Sequence, residues 1–381
     1  MFFYCKKEEA RNPAIDGWEN QENFSAIFVI MDKTVESDGI LDDTFKQKGE
    51  KAMEKKKVIM DVDTGSDDAI AIMMAVLSGQ LDILGITVTQ GNRPLANCVE
   101  NTLRVLDMLE ADIPVYAGCP APMVRDLTPG RGANNPGGGV GIVEDGVEYT
   151  IHPAYLDLPA AHSQVQKKHA CSFLVEAIHA AEGKVTLIPV GPPTNIGMAF
   201  RMDPTIAQKV EEVVFMGGAV DKGNVTPVAE ANFFHDPEAV KIVLDSGVKV
   251  RCITLNATHS AEISMPQADE LIALGTKSGK LAGDLIHLRA EASRKMGWHS
   301  GQWEAIHDAL AVAAVLDESI ITDLRRQKCN IDINGGFGDG QLIVEHRNEQ
   351  DLSVNTYVSY RADGEKFFAM MKEMMAKGPK I

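Results

Sequence analysis

A chain of 381 residues, 45% of them hydrophobic, has enough apolar content to fill the core of one large α/β domain or two ordinary ones. Its 54 acidic against 37 basic residues leave a formal charge of −17, which repels polyanions and argues against nucleic acid as a partner, while neutral small molecules and divalent cations remain open. The six cysteines (Cys5, Cys98, Cys119, Cys171, Cys252, Cys329) contain no CxxC pair, so reduced thiols in a cytoplasmic protein are expected.

In chain order, residues 1–57 carry mixed charge and a lysine-rich end (Lys51, Lys55, Lys56, Lys57), and are expected to be a poorly ordered extension outside the main fold. Their longest apolar run, Phe24 to Met31, is too short to span a bilayer and lacks a basic flank and a cleavage site. Neither a membrane partner nor an export signal is therefore expected.

From Val58 onward short apolar runs alternate with helical patterns: VIMDVD, DDAIAIMMAVLSG, LDILGITVT, ENTLRVLDMLEA and IPVYAG. This is the rhythm of βαβ units. Between Asp126 and Tyr155 the stretch RGANNPGGGVGIVEDGVEY breaks both periodicities and reads as an exposed loop. Alternation resumes with HACSFLVEAIHAAEG, VTLIPVG, TNIGMAF, VEEVVFMGG, DPEAVKIVLDSG and VRCITLN, followed by a helical stretch from Gln267 to Met296. With no repeat or linker to divide them, residues 58–381 are expected to form one α/β domain, with a mostly parallel sheet flanked by helices.

The chemistry concentrates in VIMDVDTGSDDAIAIMMAVL. An apolar strand ends on Asp61 and Asp63, which share a face because strand side chains alternate with period two. Thr64, Gly65 and Ser66 turn the chain, and Ile70, Met73, Met74 and Leu77 follow helical spacing, so Asp67 and Asp68 fall in a helix's first turn. Any one aspartate there is accounted for as a helix cap. Four carboxylates at one strand end repel unless a cation or a proton intervenes. Oxygen donors alone favour calcium or magnesium over zinc.

Two other readings of the cluster fail on detail. An EF-hand loop counted from Asp61 needs glutamate at its twelfth position, where Ile72 stands. A haloacid-dehalogenase-type phosphatase is suggested by DVDT and by GDGQ around Asp339, yet the residues after Gly340 read as a strand rather than supplying a further acid.

DVDTGSDDAIAIMMA closely resembles the N-terminal signature of the inosine-uridine preferring nucleoside hydrolase family, with Thr64 where proline is usual. TVTQGNRPL, VTLIPVGPPTNIGMA, GNVTPVAEANFFHDPEA and AIHDALAVA match further segments in the family's order, and together they cover nearly all of residues 58–361. The resemblance implies a doubly wound α/β fold with its site at the carboxyl ends of the strands, bound calcium, and hydrolysis of ribonucleosides. It implies that Asp63, Asp68 and Asp308 are side-chain ligands of the ion and that Val190 offers a main-chain carbonyl, where many relatives have threonine.

By the same resemblance Asp67, Asn92, Asn224, Glu230, Asn232 and Asp308 grip the ribose hydroxyls, Asp63 takes the proton of the attacking water, and His307 either protonates the leaving base or orients it. A homodimer or homotetramer is also implied. Relatives often carry an HGESG-like segment where GANNPGGGVGI stands here, and Asn134 and Asn135 do not replace its proton chemistry. Trp298 and Trp303 suit either a stacking platform for the base or core packing. The competing function is a calcium-dependent nucleoside- or ribose-binding protein without turnover, against which the intact Asp63 and Asp68 argue.

Overall fold

The computed structural model describes residues 55–131, 139–347 and 353–381. The expected extension over residues 1–57 therefore lies outside the described residues except for its last three, as do Asn134 and Asn135.

Eight strands form the central sheet: β1 (Lys56–Val62), β2 (Leu81–Val88), β3 (Val115–Ala117), β4 (Val185–Pro189), β5 (Val210–Met216), β6 (Lys249–Ile253), β7 (Ile321–Arg326) and β8 (Thr356–Ala362). Their order is β7-β8-β6-β5-β4-β1-β2-β3. All neighbours are parallel except the edge pair β7 and β8. β1 from Val58 onward and all of β4 are buried, as strands must be when helices cover both faces of a parallel sheet.

The helices are α1 (Ser66–Ser78), α2 (Leu95–Leu109), α3 (Ala170–Ala180), α4 (Thr194–Met202), α5 (Ala231–His235), α6 (Pro237–Leu244), α7 (Leu255–Thr258), α8 (Met265–Ile272), α9 (Lys277–Lys295), α10 (His307–Leu316) and α11 (Gly364–Met375). Adjacent residues of β1 serve opposite cores, because their side chains alternate across the sheet. Met60 packs with residues of α1, α9, α10 and α11, whereas Ile59 packs with residues of α3, α4 and α6. The sheet is thus doubly wound. β1 has β2 on one side and β4 on the other, so the chain changes direction of winding there, where open parallel sheets leave a crevice at their carboxyl ends.

Two local features differ from the sequence reading. The glycine-rich stretch is not loop throughout, since Gly141–Glu144 pairs antiparallel with Val147–Thr150. Asp145 and Gly146 join them with φ of 51° and 80°, the positive pair that a tight hairpin needs. The helical stretch near Gln267 is two helices, α8 and α9, parted at Gly275, whose φ is 64°. Among the described residues no helix is long and apolar enough to cross a membrane.

Candidate active site

The site forms where β1 runs out. Asp61 is opposite Thr87 of β2 and Pro189 of β4. Its Oδ1 accepts hydrogen bonds from Thr87 Oγ1 at 2.6 Å and Asn195 Nδ2 at 2.8 Å, while Oδ2 is buried without a partner. Burial pushes this carboxyl up to about 7. Asp61 therefore faces inward, behind the catalytic surface.

Asp63 follows one residue after the strand, and two glycines make room for it. Its Oδ2 accepts the Asn92 N–H at 2.6 Å. A Cβ on Gly91 would lie 2.0 Å from Oδ2, and one on Gly191 would lie 2.5 Å from Oδ1. The chain segments after β2 and β4 can close on this carboxylate only without side chains at those positions.

Asp68 ties the turn to the helix. Its Oδ1 accepts the Asp63 N–H at 3.1 Å, and its Oδ2 accepts from Gly65 N at 2.9 Å and from Asn92 Nδ2 at 3.0 Å. This is helix capping, so the bland reading of Asp68 is satisfied. It does not exhaust the residue's role, because oxygens of Asp67, Asp68 and Asp308 all converge within 4.8 Å of one another.

Electrostatics disfavours leaving these carboxylates ionised with nothing between them. Burial and then the charges of Asp68 and Asp67 hold Asp63 well above the usual carboxylate range. Burial followed by Asp67, Asp68 and Asp63 does the same to Asp308, and burial with Asp67 brings Asp68 to about 6. Buried carboxylates in this state must either take up protons or share a cation. An all-oxygen donor set of this kind fits a hard divalent ion.

Asp67 behaves differently. Burial is the largest influence and pushes it up, but Arg289, His152 and His307 together outweigh burial and hold it below its ordinary value. Arg289 Nη1 donates to Asp67 Oδ1 at 3.0 Å and to Ser66 Oγ at 2.9 Å, and its Nη2 donates to Ala305 O at 3.3 Å. His152 Nδ1 lies 3.8 Å from the same Asp67 oxygen and accepts the Ser66 N–H at 3.3 Å. Both residues were missed in the sequence. Arg289 had a signal, since it falls on the buried stripe Leu281, Leu285, Ile286 of α9. His152 had none beyond being a lone histidine in an irregular segment.

On the β4 side, the Val190 carbonyl accepts Asn232 Nδ2 at 2.7 Å and keeps a second lone pair. Glu230 is the N-cap of α5: Oε1 accepts from Asn232 N at 2.7 Å, and Oε2 from Gly218 N at 2.9 Å. Burial raises it to about 7. Asn224 is exposed, and its Oδ1 accepts the Ala231 N–H at 3.0 Å. The structure thus gathers Asp63, Asp67, Asp68, Asn92 and Asp308 directly and joins Asn232 to Val190, while Asn224 and Glu230 are engaged at the head of α5.

His307 opens α10 beside Asp308, and its Nδ1 lies 2.8 Å from Thr258 Oγ1. Burial, then Arg289, lowers it to about 3, so the ring is neutral near pH 7. Trp298 and Trp303 are 56% and 50% exposed, which removes the core-packing alternative for both. Asp339 of the GDGQ segment is structural, held by Arg125 Nη1 at 2.8 Å and Arg131 Nη2 at 2.7 Å.

Residues 58–369 match the family model described as inosine-uridine preferring nucleoside hydrolase. The chain is 34% identical over 322 residues to the pyrimidine-specific ribonucleoside hydrolase RihB of Escherichia coli O157:H7 (strain EC4115 / EHEC), covering 84% of this chain and 97% of the relative. Among solved structures it resembles a plant nucleoside hydrolase, PpNRh1, with TM-score 0.73 and 25% identity over 85% of this chain and 99% of that one. It also resembles a purine-preferring ribonucleoside hydrolase from Gardnerella vaginalis, with TM-score 0.73 and 26% identity over 84% and 98% of the two chains.

Proposed function

The chain belongs to the inosine-uridine preferring nucleoside hydrolase family, and from that premise we propose that its aspartate cluster holds calcium and that Asp63 acts as the general base. Its reaction is hydrolysis of the N-glycosidic bond of ribonucleosides to free base and ribose. The observation that carries the proposal is the convergence of Asp67, Asp68 and Asp308 beside Asp63, all buried at the end of β1.

Asp63, Asp68, Asp308 and the Val190 carbonyl are the ligands in this reading. When bound, calcium supplies a fixed positive charge that orients the sugar hydroxyls and the attacking water and makes that water more acidic. Asp67, Asn92, Asn232 and Asp308 grip the ribose, with Asn224 and Glu230 at the head of α5 completing the set. Carboxylates accept and amides both donate and accept, which suits adjacent hydroxyls.

Cleavage places positive charge on the anomeric carbon and negative charge on the departing base. The buried carboxylates answer the first, and Asp63, wedged between Gly91 and Gly191, removes the water's proton from a fixed position. His307 is assigned to the second as leaving-group acid, a role in which the ring must first take up a proton from solvent and then pass it to the base. The Thr258 hydroxyl has one proton to give, either to Leu255 O at 3.2 Å or to His307 Nδ1 at 2.8 Å. In the neutral ring the second choice puts the hydrogen on Nε2, where it can bond the departing base; full proton transfer needs the ring protonated at both nitrogens, with Thr258 then accepting from Nδ1 and donating to Leu255 O.

We assign the protein to the cytoplasm and to a homodimer or homotetramer on the same resemblance. The test of the function is ribose release from inosine, uridine, cytidine and adenosine, with and without chelator and after calcium or magnesium is restored. Calcium-dependent ribose release supports the reading. Nucleoside binding without ribose release favours the silent binding protein.

A further inference from the structure

We propose that Cys119, His169 and Cys171 form a second metal site, for a thiophilic divalent ion such as Zn2+, apart from the carboxylate cluster. Cys119 lies two residues beyond β3, His169 is the N-cap of α3, and Cys171 is in that helix's first turn. A ring nitrogen of His169 and the two sulfurs all lie within 4.8 Å of one another.

The spacing of the sulfurs excludes a disulfide and suits a shared ion as well as a thiol hydrogen bond. Cys119 Sγ and Cys171 Sγ are 3.8 Å apart. Two Zn–S bonds of about 2.3 Å at a tetrahedral angle set their sulfurs about 3.8 Å apart, whereas a disulfide needs about 2.05 Å. The pair already has the edge length of a tetrahedral site.

The surroundings fix the donors. Cys119 N–H donates to Asn195 Oδ1 at 2.8 Å, and its carbonyl accepts from Gln90 N at 3.2 Å. His169 Nδ1 accepts the Cys171 N–H at 3.3 Å, so its lone pair caps α3 in the metal-free site and turns to the ion only when that long bond is given up. Cys171 is buried, Cys119 half-buried and His169 exposed, which leaves a fourth position facing solvent, as in open three-ligand zinc sites.

The Cys119 side chain, followed by burial, pushes the Cys171 thiol up. Binding is therefore an exchange in which each thiol proton leaves to solvent as a sulfur–metal bond forms, with no electron transferred. The position also has a connection: Asn195, which accepts from Cys119, donates through Nδ2 to Asp61 Oδ1 at 2.8 Å. One amide side chain separates the two clusters.

The test uses the full chain, reduced and stripped with chelator, then given excess calcium to fill the oxygen-donor site before titration with Co2+. The expected result is thiolate-to-cobalt charge-transfer absorption that saturates at one equivalent and is abolished by Zn2+. Cys119→Ser and Cys171→Ser abolish it, and Asp68→Asn retains it. A readout that needs no variant to fold is alkylation mapped by mass spectrometry on the wild-type chain, in which Zn2+ protects Cys119 and Cys171 but not Cys329. Absence of charge transfer in the wild type, its persistence in the doubly substituted chain, or alkylation indifferent to Zn2+ overturns the proposal.

Discussion

Arg289 reaches from α9 to Asp67 in α1 and binds its Oδ1 at 3.0 Å, with both side chains buried. Arg289 is the strongest of the attractions that keep Asp67 charged, and that charge adds to burial in raising Asp68 and Asp308. A guanidinium that also holds Ser66 Oγ and Ala305 O ties the start of α1 to the approach to α10.

Arg289→Met leaves Asp67 as an uncompensated buried charge and is expected to lower stability by about 3–5 kcal/mol. The double variant with Asp67→Asn is expected to recover much of that loss. Urea unfolding of the two single variants and the double one measures the coupling, and strictly additive losses contradict the pairing.

Gly191→Ala is expected to abolish most turnover without unfolding the chain, since its Cβ would meet Asp63 Oδ1 at 2.5 Å and must displace the carboxylate. A displaced general base costs about 10²-fold or more. Steady-state kinetics beside a circular dichroism spectrum checks this, and a loss of fold in proportion to activity counts against the steric cause.

The pH dependence of stability follows from the raised carboxyls. Between the ordinary value of 3.8 and about 7, folded Asp61 keeps a proton that the unfolded chain has lost, so its contribution is full below 3.8 and is lost as pH rises through 7. Asp68, at about 6, and the raised Asp63 and Asp308 act in the same direction. Calcium competes with those protons and takes the ionised forms. The difference in melting temperature between calcium and chelator is therefore expected to widen from about pH 5 to about pH 8. A constant difference argues against these carboxylates as ligands.

His307→Ala is expected to slow natural nucleosides by about 10²-fold or more. A nitrophenyl riboside, whose leaving group departs without protonation, should be slowed much less. Thr258→Val should reproduce part of the effect by freeing the His307 ring. Equal slowing of both substrates shows that His307 only orients the base.

The strand-turn-helix bearing Asp61 to Asp68 was legible because its cues are local: period two, a glycine turn, then helical spacing. The alternation of strands and helices was legible for the same reason. The Asp145–Gly146 hairpin was legible in principle, since Asp-Gly between short β-prone runs is a turn signal, but the surrounding glycines masked it. Arg289 showed only as a charge on a buried helical stripe, without its partner Asp67, and His152 and the Cys119, His169 and Cys171 group gave no sign, because each depends on contact between distant segments. Cys119 and Cys171 meet only when α3 packs beside β3, and without a CxxC spacing nothing in the linear order announces it.

Asp63 is the residue assigned to activate water. Ribose release by Asp63→Asn under saturating nucleoside and calcium, set against the wild type, tests it most directly. Turnover reduced by about 10³-fold or more in a chain that keeps its fold and still binds nucleoside is the predicted result. Turnover near the wild-type rate contradicts the assignment of the base.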